Sequence, residues 1–100
     1  GTLGASAITK SDEREKENIK HFDASDFLDE LVPSKYNYKS DKSKTSEVGV
    51  MAQDLEKAGA DGAVLEDAKG VKHIDYGKMG GTILASLAGL NERINGLEGK

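Results

Sequence analysis

Residues 81–98, GTILASLAGLNERINGLE, carry the most regular pattern in the chain. Apolar side chains fall at Ile83, Leu87, Leu90, Ile94 and Leu97, at spacings of four, three, four and three. That alternation is a heptad seam on one helix, with Leu87 and Ile94 at position a and Ile83, Leu90 and Leu97 at d. Leu84 widens the stripe at its start. Such a helix either folds back on its own domain or lies against copies of itself. The period runs to within three residues of the end of the sequence, where little of a single domain is left to cover it, and this weights the second packing. About two heptads make only a marginal coiled coil, so the rest of the domain is expected to share the interface. The a and d residues do not choose between dimer and trimer.

Outward from that helix the elements shorten. AVLED (63–67) and VKHIDY (71–76), separated by Ala68, Lys69 and Gly70, read as a β-hairpin with a tight turn. AQDLEKAG (52–59) reads as a short helix closed by Gly59. Before it, EVGVM (47–51) is a strand in which Gly49 permits close approach. KYNYK (35–39) is a second strand, with Tyr36 and Tyr38 on one side, and the polar SDKSKTS (40–46) is a loop. Asp23 caps a short helix through DFLDELV (26–32), which Pro33 ends. The three tyrosines are expected to pack in the core, and His21 and His73 to sit on a strand or helix surface. The sum is an α+β domain of short helices and small antiparallel hairpins with a long C-terminal helix.

One hundred residues suit a single domain, and with 36% hydrophobic residues, five aromatics and no Trp its core is expected to be modest. Oligomerisation would supply the missing burial. The charged fraction is 32% and the formal net charge −4, with acids diluting the lysines almost everywhere, so no nucleic-acid partner is expected. The basic stretch Lys35 to Lys44 reads as a solvated loop. No cysteines are present, and the two histidines form no metal-binding pattern, so neither metal nor cofactor is expected. No apolar run approaches the roughly 20 residues of a membrane span, and no membrane partner is expected.

The clearest boundary falls at Ser11, where the nearly uncharged GTLGASAITK (1–10) gives way to SDEREKENIK (11–20). Residues 1–10 read as the end of an upstream segment or a cloning remnant, with Gly1-Thr2 the first candidates for the latter, and residues 11–100 as the domain. Taken alone, Ser11 is an ordinary helix N-cap with acids in the first turn, and Lys16 a solvated lysine.

Together, however, SDxxxK (Ser11, Asp12, Lys16), GVMAQDLE (Gly49 to Glu56), IDY (Ile74 to Tyr76) and the closing INGLE helix occur in an order that resembles the peptidase S74 family. Its members are the intramolecular chaperones at the ends of endosialidases, phage tail fibres and tailspikes. The resemblance spans roughly residues 11–97. The chain departs from the family at AGADG (58–62) and in its glycine-rich entry GKMGG (77–81). The resemblance implies a homotrimer, with a coiled-coil-like bundle of C-terminal helices whose interface is Ile83, Leu87, Leu90, Ile94 and Leu97. It implies assistance to an upstream fibre or spike domain of the same polypeptide, in the host cytoplasm during virion assembly. It also implies self-cleavage between Lys10 and Ser11, with Ser11 as nucleophile and Lys16 as general base, and a chaperone then released from the fibre or transiently attached to it. The alternative is a permanent trimerisation or receptor-binding tip that never cleaves. A third setting, release of a membrane-bound transcription factor, has no support in these residues.

The implied chemistry makes demands. Lysine takes a proton from serine only when neutral, so a lysine base must fall from about 10.4 toward neutrality through desolvation or nearby positive charge. Burial on assembly would then license cleavage. Spacing is an obstacle: positions five apart lie about 140° round a regular helix. Ser11 must therefore stand outside the helix with its side chain folded back, or the segment must depart from regular helix, or the pair must form between chains. Asp12 is not expected to take part in catalysis.

Overall fold

The computed structural model describes residues 8–99; residues 1–7, which hold most of the expected upstream tail and both suspected cloning residues, lie outside the described residues. The domain is α+β. A 3₁₀ turn, Glu13–Glu15, precedes α1 (Ala24–Asp29), β1 (Ser34–Tyr36), β2 (Glu47–Gly49) and α2 (Ala52–Lys57). A turn at Asp61–Ala63 leads into β3 (Val64–Glu66) and β4 (Lys72–Ile74), and a third at Tyr76–Lys78 leads into α3 (Gly80–Leu97). The strands form two separate antiparallel pairs, β1 with β2 and β3 with β4, in register Lys35 to Val48 and Leu65 to His73.

Local chemistry accounts for most boundaries. Asp23 accepts the Asp26 N–H at 2.9 Å and starts α1. Pro33 lies just beyond its last turn and feeds β1. At the end of α2, Gly59 adopts φ 90, in the left-handed region. The Gly59 and Ala60 amides donate back to Glu56 and Leu55 at 3.2 and 2.8 Å, a Schellman closure for which glycine is the favoured residue. In the second hairpin, the Asp67 carboxylate gathers the Lys69 and Val71 amides at 2.8 and 3.0 Å and fixes the tight turn. Asp75 accepts the Gly77 amide at 3.1 Å and caps the turn that delivers α3.

The core is small: Phe27, Leu55, Ala63 and Met79 form it, with Leu28, Leu31, Val50, Val64 and Ile74 packed partly around it. It lies between α1, α2, the second hairpin and the first residues of α3. Asp54 of α2 ties the exit of α1 to this centre by accepting the Val32 N–H at 3.2 Å. Leu55 is its deepest side chain, 2% exposed. Leu55→Ala is expected to cost about 2–5 kcal/mol, lowering the Tm by roughly 10 °C or more in a thermal melt. A shift under about 3 °C would show that the centre lies elsewhere.

Several sequence expectations are corrected in detail. The helix expected through Val32 ends at Asp29, because Pro33 holds the chain before it extended. The tyrosines are not core: Tyr38 and Tyr76 are exposed and Tyr36 is half-buried. A tyrosine at the surface keeps its hydroxyl in water, whereas a buried one needs a hydrogen-bond partner. His21 sits in irregular chain rather than on a helix or strand, while His73 lies on β4.

The long helix shows its apolar stripe to solvent. Ile83, Leu87, Leu90, Ile94 and Leu97 are between 40 and 84% exposed, and Leu84 is exposed beside them. The face of α3 that meets α1 is small and polar. Ser86 is buried there with its hydroxyl donated to the Thr82 carbonyl at 2.8 Å, and Arg93 donates to Ser25. At Gly89 a Cβ would run into the Cβ of Ala24, so the close approach of the two helices requires glycine at this position.

Candidate functional site

Ser11 and Lys16 come together within one chain: Lys16 Nζ donates to Ser11 Oγ at 2.8 Å. The segment is not regular helix, which removes the 140° separation. Only Glu13–Glu15 is wound, as a single 3₁₀ turn, and Lys16 leaves it in extended conformation with φ −112 and ψ 147. Ser11 stands one residue ahead of the cap, so the pair closes across the turn. The cap itself is Asp12, whose carboxylate accepts the Arg14 N–H at 2.9 Å. The reading of Ser11 as an N-cap is thereby corrected, and its hydroxyl is left for Lys16.

Asp12 and Arg14 clamp the turn. The guanidinium reaches both carboxylate oxygens, at 2.7 Å through Nη2 and 3.1 Å through Nε. This hydrogen bond, with the Arg14 amide, holds the Asp12 carboxyl below its usual range and raises Arg14 in turn. Lys10, on the other side of the expected scissile bond, places Nζ 3.5 Å from Glu15 Oε1. Every residue from Lys10 to Lys20 is exposed. The chemistry available is thus an oriented hydroxyl and amine beside the Lys10-Ser11 peptide, in a setting that is wet in the single chain.

The second predicted set, Ile83, Leu87, Leu90, Ile94 and Leu97, forms one continuous outward stripe on α3 and is not brought against Ser11 or Lys16. Sequence reading missed the contact that links the two regions: His21 Nε2 donates to Glu92 Oε1 at 3.0 Å. The partners are 71 positions apart, and no local pattern signals them.

A cleft of about 640 Å³ between the hairpins is lined by Tyr36, Tyr38, Tyr76, Met51, Val71 and His73. The Tyr36 and Tyr38 rings meet edge to face, with centroids 5.5 Å apart. Hydrogen bonding to Tyr38, then desolvation, pushes the Tyr36 phenol up to about 12. The folded state therefore holds this proton more tightly than the unfolded chain. The resulting stabilisation is complete below about pH 10 and is lost as pH rises from about 10 to about 12. In an ultraviolet titration the Tyr36 phenol is expected to ionise at about 12. Tyr38→Phe is expected to bring this ionisation down, and a native chain in which no tyrosine ionises that late would contradict this. Among the described residues no group of three or more His, Cys, Asp or Glu is placed to hold a metal ion, and no helix is long and apolar enough to cross a membrane.

Comparison with curated proteins gives no match. A family model does match: peptidase S74, described as chaperone of endosialidase, aligns with residues 11–65. The match begins at Ser11 itself and runs through the Asp12–Arg14 clamp and the GVMAQDLE block into β3, leaving the last residue of β3, β4 and α3 beyond it. With more than half of its length matched, from the paired serine onward, the chain belongs to the peptidase S74 family, the chaperones of endosialidase.

Proposed function

We propose that the chain is a homotrimeric intramolecular chaperone for an upstream fibre or spike domain of the same polypeptide, and that it releases itself by cutting the Lys10-Ser11 bond. The observation that carries this reading is the 2.8 Å contact between Lys16 Nζ and Ser11 Oγ, closed across a 3₁₀ turn directly after Lys10. Neutral Lys16 takes the Ser11 hydroxyl proton as Oγ attacks the Lys10 carbonyl carbon. The tetrahedral intermediate collapses with the C–N bond breaking, and Lys16 returns the proton to the departing Ser11 amine. The resulting ester joins Lys10 to Ser11 Oγ. Water then attacks it, leaving a Lys10 carboxylate and a restored Ser11 hydroxyl on a new N-terminus.

Exposure of both groups in one chain supports coupling to assembly. A solvated lysine stays protonated and cannot accept the serine proton, so neighbouring chains have to supply the cover. The outward stripe on α3 supports the trimer for the same reason: six large apolar side chains from Ile83 to Leu97 are left in water by the single chain. The same reading places the work in the host cytoplasm during virion assembly.

The test is to express the domain with its upstream segment, follow the products by mass, and weigh the assembly by sedimentation. A cut between Lys10 and Ser11 in a trimeric species is expected. A full-length trimer that never cleaves would leave the alternative, a permanent trimerisation or tip module.

A further inference from the structure

The turn that carries Ser11 and Lys16 is held together mainly by its own contacts, and its placement on the domain needs an anchor. After Lys16 the chain has no regular secondary structure as far as Asp23, and it bends at Asn18, which takes φ 53 in the left-handed region that asparagine tolerates. Just beyond that bend, His21 Nε2 donates to Glu92 Oε1 at 3.0 Å, and the Phe22 ring lies 5.6 Å from the Phe27 ring of the core.

Glu92 occupies a telling position. It sits between Leu90 and Ile94 in sequence but at heptad position f, on the side of α3 opposite the a and d seam. Gly89, next to it at position c, meets Ala24 of α1, and Arg93, at position g between that contact and the seam, donates to Ser25. One helix therefore carries the proposed assembly surface on its outer face and the anchor of the cleavage segment on its reverse. Asp23, Asp26 and Asp29 from the α1 side, and Arg93 beside Glu92, are the other charged groups lining the cleft around His21.

We propose that His21 is a positioning residue for the self-cleavage: through Glu92 it fixes the Ser11–Lys16 turn to the back of the helix whose front makes the trimer. This rests on the cleavage reading given above. His21 pairs with Glu92 rather than with Ser11 or Lys16, and it acts by setting where the turn sits when a neighbouring chain covers it. An exposed pair of this kind contributes little to stability, whereas a displacement of about 1 Å at a reacting group can cost about a hundredfold in rate. Rate and stability should accordingly separate.

The experiment uses the full chain with its upstream segment, with cleavage rate, sedimentation mass and melting temperature measured on each variant. His21→Ala and Glu92→Ala are each expected to slow cleavage roughly ten- to hundredfold, with trimer mass and melting temperature unchanged. His21→Gln, which keeps an N–H donor, should stay within about threefold of wild type. The swapped double variant, His21→Glu with Glu92→His, should recover most of the rate lost in His21→Ala. A His21→Ala chain that cleaves at the wild-type rate, or a swap that restores nothing, overturns this inference and leaves the cleavage reading intact. A wild-type trimer that never cleaves overturns both.

Discussion

A chain carrying Ser11→Ala is expected to stay full length, with cleavage at Lys10-Ser11 reduced by at least about a thousandfold, while it still assembles. The hydroxyl is the only nucleophile in the proposed reaction, and its removal leaves water and no activated alternative. Lys16→Ala should fall to a similar floor, since Ser11 Oγ then loses the amine that stands 2.8 Å away. Lys16→Arg is the sharper variant: guanidinium keeps the charge and the hydrogen-bonding reach but cannot be deprotonated in a protein, so no base is available. Intact mass resolves all three from wild type. Cleavage at the same bond in Lys16→Arg would exclude a general base at this position, and cleavage in Ser11→Ala would exclude the nucleophile. Since none of these substitutions touches Phe27, Leu55, Ala63 or Met79, sedimentation should find all three variants assembled as the wild type is.

The second large effect is expected at the seam. Leu87→Asp or Leu90→Asp should dissociate the proposed trimer at micromolar concentration and abolish the proposed cleavage in the same chain. In the single chain these side chains are 59 and 40% exposed, so a carboxylate there costs the monomer little. In a trimer, three carboxylates would be desolvated together without partners, at a cost on the order of several kcal/mol for each chain. Leu87→Ala, which removes burial without adding charge, should weaken assembly less. Sedimentation velocity and cleavage rate, measured on the same sample, decide the matter. A seam variant that remains trimeric would move the interface elsewhere on the molecule, and a proven monomer that cleaves would break the link between assembly and chemistry.

Gly59 and Asp23 illustrate what could be read directly from the sequence. Each acts through backbone groups within a few residues of itself, as a left-handed helix closure and an N-cap. The same holds for the heptad period of α3 and for the ordered blocks that mark the family, because all are patterns along the chain. The tyrosines were misjudged because alternation says which side chains share a face but not whether anything covers it. Tyr36 and Tyr38 do share a face, and it borders an open cleft.

Sequence alone thus determined the order of the elements and the family, and it singled out Ser11 and Lys16 as the candidate pair. The spacing of five could not say whether they meet, because that depends on the winding of the three residues between the cap and Lys16. The folded structure decided it, locally, since a 3₁₀ turn capped by Asp12 and clamped by Arg14 closes the gap that an α-helix would open. It likewise decided which face of α3 is spent inside the chain. The tight contact at Gly89 and the buried hydroxyl of Ser86 use the small, polar face and leave the leucines in water. That choice, and the meeting of His21 with Glu92, depend on residues some 70 positions apart. Contacts at such range leave no local pattern, because only the folded backbone brings the two partners together.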